Sequence, residues 1–117
     1  MATATAKLKN LPVSARKVRL VADLIRGKEV AEARDILQFT LKTSATPLRK
    51  LLDSAVANAE HAATERHERI DTDEMVISSV MVNEGRTLHR YQNAPRGRAT
   101  RIRKRSSHVE LVLTGKE

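Results

Sequence analysis

The sequence has no cysteine and no tryptophan, and Phe39 and Tyr91 are its only aromatic residues. Without cysteine there is no disulfide framework and no cysteine-ligated zinc module, which fits a reducing compartment. So few aromatics argue against recognition by stacking bases on an aromatic sheet. The four glycines are isolated, so neither a Walker-type nor a dinucleotide-type phosphate loop exists. No apolar run approaches the ~18 residues that would span a bilayer, and Met1–Lys9 is too polar for a secretory signal core. No membrane partner is therefore expected.

Catalytic signatures are missing as well. There is no GxSxG motif. His67-Glu68 is not followed by a second histidine at zincin spacing, and His61 lies six residues from His67, off its helical face. His89 and His108 have no metal-binding spacing either. Asp71, Asp73 and Glu74 read as a turn. The sequence gives no reason to expect a catalytic residue, a metal ligand or a cofactor, and it is not read as an enzyme.

What is present is length for a single domain, 1–117, and a 40% hydrophobic content that is aliphatic and alanine-rich. The net charge of +8 is sharply zoned. Met1–Lys28 carries seven Lys/Arg against Asp23 alone. Glu29–Glu84 is acidic, with six basic and eleven acidic residues. Gly85–Arg105 has eight cations and no acid. Charge placed for solubility is normally interspersed; two basic zones around an acidic middle point to a polyanion.

Ala4–Leu11 alternates loosely and predicts a strand. Ser14 is a plausible N-cap for a helix whose stripe is Val18, Val21 and Ile25, with Leu20 and Leu24 beside it. Arg16, Arg19 and Arg26 fall on its opposite face, and Gly27 suits a left-handed C-terminal position. A second helix has Val30, Ala33, Ile36 and Leu37 on one side, with Glu29 and Glu32 near its positive end. The third is the longest. Thr46 is read as N-cap and Pro47 as the first helical residue, followed by a stripe from Leu48 to Ala63 whose second half is small. Met75–Asn83 and Ser106–Leu113 are β-branched and predict two more strands. The fold class is α+β: three helices packed on a small antiparallel three-stranded sheet, with a long projecting β-hairpin.

That hairpin is the stretch GRTLHRYQNAPRGRATRIRKR. Thr87, Tyr91, Thr100 and Ile102 have strand character, and Asn93, Ala94 and Pro95 look like a tip. With Met75 and Leu113 as ends, the midpoint falls at position 94, leaving arms of about 19 residues, or roughly 60 Å. A compact domain of this length has a radius of gyration of only ~13 Å, so the ribbon must project. It has too few apolar residues to fold on itself, and its cations repel one another. Nucleic acid supplies the missing negative charge, and seven of the eight cations are Arg, whose fork matches phosphate oxygens.

Four stretches, SARKVRLVADLIRGK, LLDSAVANAEH, VNEG and PRGRATRIRKRSSHVELVL, carry a resemblance over Lys7–Leu113 to the large-ribosomal-subunit protein L-twenty-two family, of bacterial type. Ala15, Arg86 and the placement of Pro95 depart from the family pattern. The resemblance implies a compact α+β body with a long hairpin, spanning 84–105, and a structural role in the ribosome of the cytoplasm. Its implied partners are large-subunit rRNA, whose assembly it helps, neighbouring large-subunit proteins, and the nascent peptide, because the hairpin lines the exit tunnel.

By the same resemblance, the rRNA-facing residues on the body are Arg16, Lys17, Arg19, Arg26 and Lys28. On the ribbon they are Arg86, Arg90, Arg96, Arg98, Arg101, Arg103, Lys104 and Arg105, with Ser106 and His108 beyond it. Leu88, His89, Arg90, Tyr91, Gln92, Asn93 and Ala94 correspond to the tunnel tip. The rival from charge alone is an architectural DNA-binding protein with basic β-arms.

Overall fold

The computed structural model describes residues 3–69, 71–93 and 95–115. The chain runs β1 (Thr3–Leu11), α1 (Ala15–Ile25), α2 (Val30–Phe39), α3 (Ala45–Glu65), β2 (Val76–Glu84), β3 (Leu88–Asn93), β4 (Ala99–Lys104) and β5 (Ser107–Thr114). Strands β1, β5 and β2 form an antiparallel sheet in that order, and β3 and β4 form a separate two-stranded ribbon. This is the expected α+β class.

The sheet's inner face is built by alternation. Val109, Leu111 and Leu113 of β5 are buried, as are Ala4, Ala6 and Leu11 of β1 and Ile77, Val80 and Val82 of β2. Leu8 of β1 is partly buried against the same core, and two spacings are odd, Leu8 to Leu11 and Ile77 to Val80, which would put the two residues on opposite faces of a regular strand. The register shifts at both places. Each bulge adds a residue, which restores the inward phase. In β2 the Ser78 hydroxyl donates to the Val112 carbonyl at 3.2 Å. In β1, Asn10 takes a left-handed φ of 58°, which asparagine tolerates better than most residues.

The helices bury the stripes read from the sequence. Val18, Val21, Ala22 and Ile25 of α1, Val30, Ala33 and Leu37 of α2, and Leu48, Leu51, Leu52, Ala55, Val56, Ala59 and Ala63 of α3 form one cluster with the sheet, except Ala63, which is buried outside it. Each large aliphatic side chain so buried contributes about 1.5–3 kcal/mol. Small residues of α3 share one buried cluster with Ala4 and Ala6, and Asn58 Nδ2 donates to the Thr5 carbonyl at 3.0 Å, so this helix packs over β1. Leu20 and Leu24 are not in the stripe: they are 60% and 47% exposed.

Helix ends differ in detail from expectation. The N-cap of α3 is Ser44, not Thr46, which moves Pro47 from the first to the third helical position. The proline is tolerated there because N–H groups of the first turn lack intrahelical partners anyway. Gly27, at φ 78°, does not cap α1 directly. It occupies the third position of a type II turn in which Lys28 N donates to the Ile25 carbonyl at 3.2 Å. At the end of α3, His67 is left-handed at φ 57°. Glu68 N reaches Ala63 O at 2.9 Å and His67 N reaches Thr64 O at 3.2 Å, the paired bonds of a Schellman motif. His67 therefore serves helix termination.

The outer edge of β2 is closed by the chain that follows α1. Gly27 N donates to Ile77 O at 3.0 Å, Ile77 N to Lys28 O at 2.9 Å, and Val30 N to Met75 O at 2.9 Å. Covering an edge in this way prevents pairing with another chain. Asp71 accepts from Asp73 N at 3.1 Å in the tight turn before β2, as the acidic cluster suggested.

Past the body sheet the two arms continue as the ribbon. Asn93 pairs with Ala99, so the turn centres on Arg96, two residues beyond the midpoint taken from the strand ends. Half of the offset arises because Leu113 pairs with Ile77 and not with Met75; the bulge at Ser78 and the unpaired link between the sheets supply the rest. Arg96 and Gly97 both have positive φ, 64° and 70°, as tight hairpin turns require. Ala94, read as part of the tip, lies outside the described residues. The inner halves of the arms belong to the body sheet, so the projecting ribbon is shorter than the 60 Å estimate. The molecule still measures 67 × 27 × 16 Å with a radius of gyration of 17.6 Å, well above that of a compact domain.

Two outcomes follow for stability. Gly at position 67 avoids the cost of a left-handed side chain, so His67→Gly should raise unfolding free energy by about 0.5–1 kcal/mol in urea titration. A Cβ on Gly85 would lie 2.8 Å from Ser106 Oγ and 3.1 Å from the His108 ring. Gly85→Ala should therefore destabilise by about 1–3 kcal/mol in the same assay.

Candidate nucleic-acid interface

The ribbon has no core of its own. Every described residue of β3 is exposed, and in β4 only Ile102 is partly covered. Alternation places Leu88, Arg90 and Gln92 with Lys104, Ile102 and Thr100 on one face. The other carries His89, Tyr91 and Asn93 opposite Arg103, Arg101 and Ala99. Leu88–Asn93 thus run along one flank, and the turn itself is Pro95–Gly97. Among the described residues, no ion pair involves any of the eight ribbon cations. Arg90 only reaches the neighbouring His89 carbonyl, at 3.3 Å.

The root of the ribbon is tightly held. Gly85 N donates to the Ser106 carbonyl at 2.9 Å, and the Ser106 hydroxyl donates to the Arg86 carbonyl at 2.6 Å. His108 Nδ1 accepts the Asn10 backbone N–H at 3.0 Å, which satisfies the amide that the β1 bulge turns outward. A neutral imidazole accepting at Nδ1 carries its hydrogen on Nε2. Ser106 and His108 therefore stiffen the junction between body and ribbon. Ser107 between them is fully buried, and its hydroxyl has no hydrogen-bond partner among the described residues.

The body cations divide by environment. Arg19 donates twice to the Val82 carbonyl, from Nε at 3.3 Å and Nη2 at 2.9 Å, and so closes β2's edge near the ribbon. Arg26 pairs with Asp23 at 3.3 Å and Lys28 with Glu32 at 3.9 Å, both exposed. Such surface pairs are worth ~0–1 kcal/mol and open readily to a better anion. Arg34 bridges Asp53 and Asp73, each at 3.4 Å, and belongs to the acidic side of the body.

Arg16 and Lys17 stand apart, because they share a groove with the ribbon root. A space of about 930 Å³ separates the start of α1 from the start of α3 and from Arg103, Lys104 and Arg105. Its wall includes Lys42, Thr43 and Ser44, which the sequence reading missed. Lys42 lies within the acidic middle of the chain, so zoning by charge hid it; only folding brings it to the basic side. A smaller crevice joins Ser14 and Arg16 to Gly85 and Arg105.

An aliphatic α+β body that carries a projecting, coreless basic ribbon and a cationic groove at its root defines a class of small basic scaffold protein. Comparison with known sequences makes the class specific. The chain matches the family described as Ribosomal protein L22p/L17e over residues 6–114. It is 48% identical over 114 residues to the large ribosomal subunit protein uL22 of Oceanobacillus iheyensis, covering 97% of this chain and 96% of that one. The chain belongs to the L22p/L17e ribosomal protein family, whose members are structural constituents of the large subunit and not enzymes.

The ring geometry at the root is directly measurable. In nitrogen-15 NMR of the neutral protein, His108 should show the Nε2–H tautomer. Asn10→Gly, which keeps both the left-handed backbone and the donated N–H, should leave that preference unchanged.

Proposed function

We propose that the chain binds large-subunit rRNA through the ribbon and the groove at its root, helps that RNA to assemble, and lines the nascent-peptide exit tunnel with the ribbon. The observation that carries this reading is the ribbon itself: exposed but for the partly covered Ile102, free of acid, and with no ion pair among the described residues. An isolated two-stranded ribbon is marginal in water, and like charges worsen it. Phosphates placed along it would remove the repulsion, and counterion release would drive the association. Contact by phosphate, sugar and shape suits a surface with one tyrosine and many guanidinium forks.

The body and ribbon together could hold separate RNA segments at fixed spacing, which is how such a scaffold would promote assembly. Arg16, Lys17, Arg26 and Lys28 would serve the body contact, and Arg86, Arg90, Arg96, Arg98, Arg101, Arg103, Lys104 and Arg105 the ribbon contact. Arg19, Ser106 and His108 would act by fixing the root's direction. Leu88–Asn93 and the turn beyond them would meet the nascent peptide. Family membership supports this over the DNA-bending rival, and it implies neighbouring large-subunit proteins as further partners.

Filter binding of a large-subunit rRNA fragment across a salt series tests the mechanism. The log–log slope should be steep, at about −0.7 to −0.9 per neutralised phosphate, and Arg101→Ala or Arg103→Ala should each reduce it by about one contact. A flat salt response, or equal affinity for random duplex DNA, would contradict the reading.

A further inference from the structure

We propose that the groove between the starts of α1 and α3 and the ribbon root holds one unpaired nucleotide of an RNA strand, with its base against Leu20 and its phosphate among the cations. This rests on the rRNA reading and deepens it by naming what one part of the surface selects.

The composition of the wall is the argument. A site for phosphate alone would be lined by donors. Here Pro12, Val13 and Leu20 share the wall with Arg16, Lys17 and Lys42. Leu20 is 60% exposed although it sits on a helix whose other apolar residues, apart from Leu24, are buried. An aliphatic surface beside cations matches a nucleotide, which joins an apolar base face to an anionic phosphate. The volume of about 930 Å³ lies within the ~300–1,000 Å³ range of small-ligand sites. Arg103 and Arg105 line the groove from the ribbon side, and guanidinium planes stack on unpaired bases where aromatics are lacking.

The anionic half has its own provision. Both α1 and α3 begin at this wall, and neither Ser14 nor Ser44 uses its hydroxyl to cap its helix. Ser44 is 97% buried, at 3% exposure, and lines the groove. Pro47 contributes no N–H to the first turn of α3. Two helix starts and three lysine or arginine side chains thus surround a position suited to one phosphate. An RNA duplex keeps its base faces stacked inside and its phosphates outside. It would engage the cationic rim and leave Leu20 uncovered.

The test uses the full chain and fluorescence anisotropy with short oligo(A) and oligo(U), an abasic RNA of the same length, and a blunt RNA duplex. Binding to a large-subunit rRNA fragment is followed in parallel. The base-bearing strands should bind roughly tenfold more tightly than the abasic strand. Leu20→Ser should erase that difference while leaving abasic affinity unchanged. Lys42→Ala should weaken both strands, and Met81→Ser, an apolar change on the outer face of β2, should alter neither. Equal affinity for abasic and base-bearing strands, a preference that survives Leu20→Ser, or tighter duplex binding would overturn the groove assignment. If rRNA binding persists while base preference is absent, only the groove assignment fails. If the rRNA fragment is not bound, the functional reading fails and takes the groove with it.

Discussion

Uncompensated charge on a ribbon that cannot build a core is the constraint around which this molecule is organised. Eight cations occupy the segment from Gly85 to Arg105, and no carboxylate lies within it. Neither hydrophobic burial nor internal ion pairing stabilises β3 and β4. Their order rests on backbone pairing and on the root. The body is the opposite case, a continuous aliphatic cluster of three helix stripes and one sheet face. Its task is to hold one end of the ribbon at a fixed angle.

The root shows how this is done with polar groups. The bulge in β1 turns the Asn10 N–H outward, and His108 receives it. Gly85 is bare because Ser106 and His108 occupy the space of a side chain. Arg19 spends its guanidinium on the Val82 carbonyl, where β2 leaves the body. These contacts link α1, β1, β2 and β5 at the point where the two arms depart. Residues that read as RNA contacts from sequence therefore include several whose structural contribution is to aim the contact surface. In a large-subunit scaffold both roles serve one end, since misdirected cations would meet the wrong phosphates.

The acidic middle of the chain is equally instructive. Arg34 with Asp53 and Asp73, His61 with Glu65, and Lys28 with Glu32 are ordinary solvated contacts. They leave the molecule electrically two-sided, with a basic ribbon and groove and an acidic flank. Such asymmetry orients an encounter before close contact forms.

Much of this was legible from the residues alone. The stripes of α1, α2 and α3, the alternation of β5, the coreless basic segment and the zoning of charge follow from local period and composition, since each is a property of neighbours in sequence. The family motifs were equally readable. What only the tertiary structure decided lies where distant segments meet. The bulges at Asn10 and Ser78 shift strand phase, and the pairing of β2 with β5 and of β3 with β4 puts the hairpin's centre at Arg96, because register is fixed by pairing across strands. The transfer of the α3 cap to Ser44 depends on how the preceding turn closes. Lys42 joins Arg16 and Arg105 around one groove only because α3 folds back over β1 and brings its start beside the ribbon root. Linear charge counting assigns that lysine to the acidic zone. Periodicity says which face of an element turns inward, whereas a surface assembled from three separate elements exists only after the core has fixed their positions.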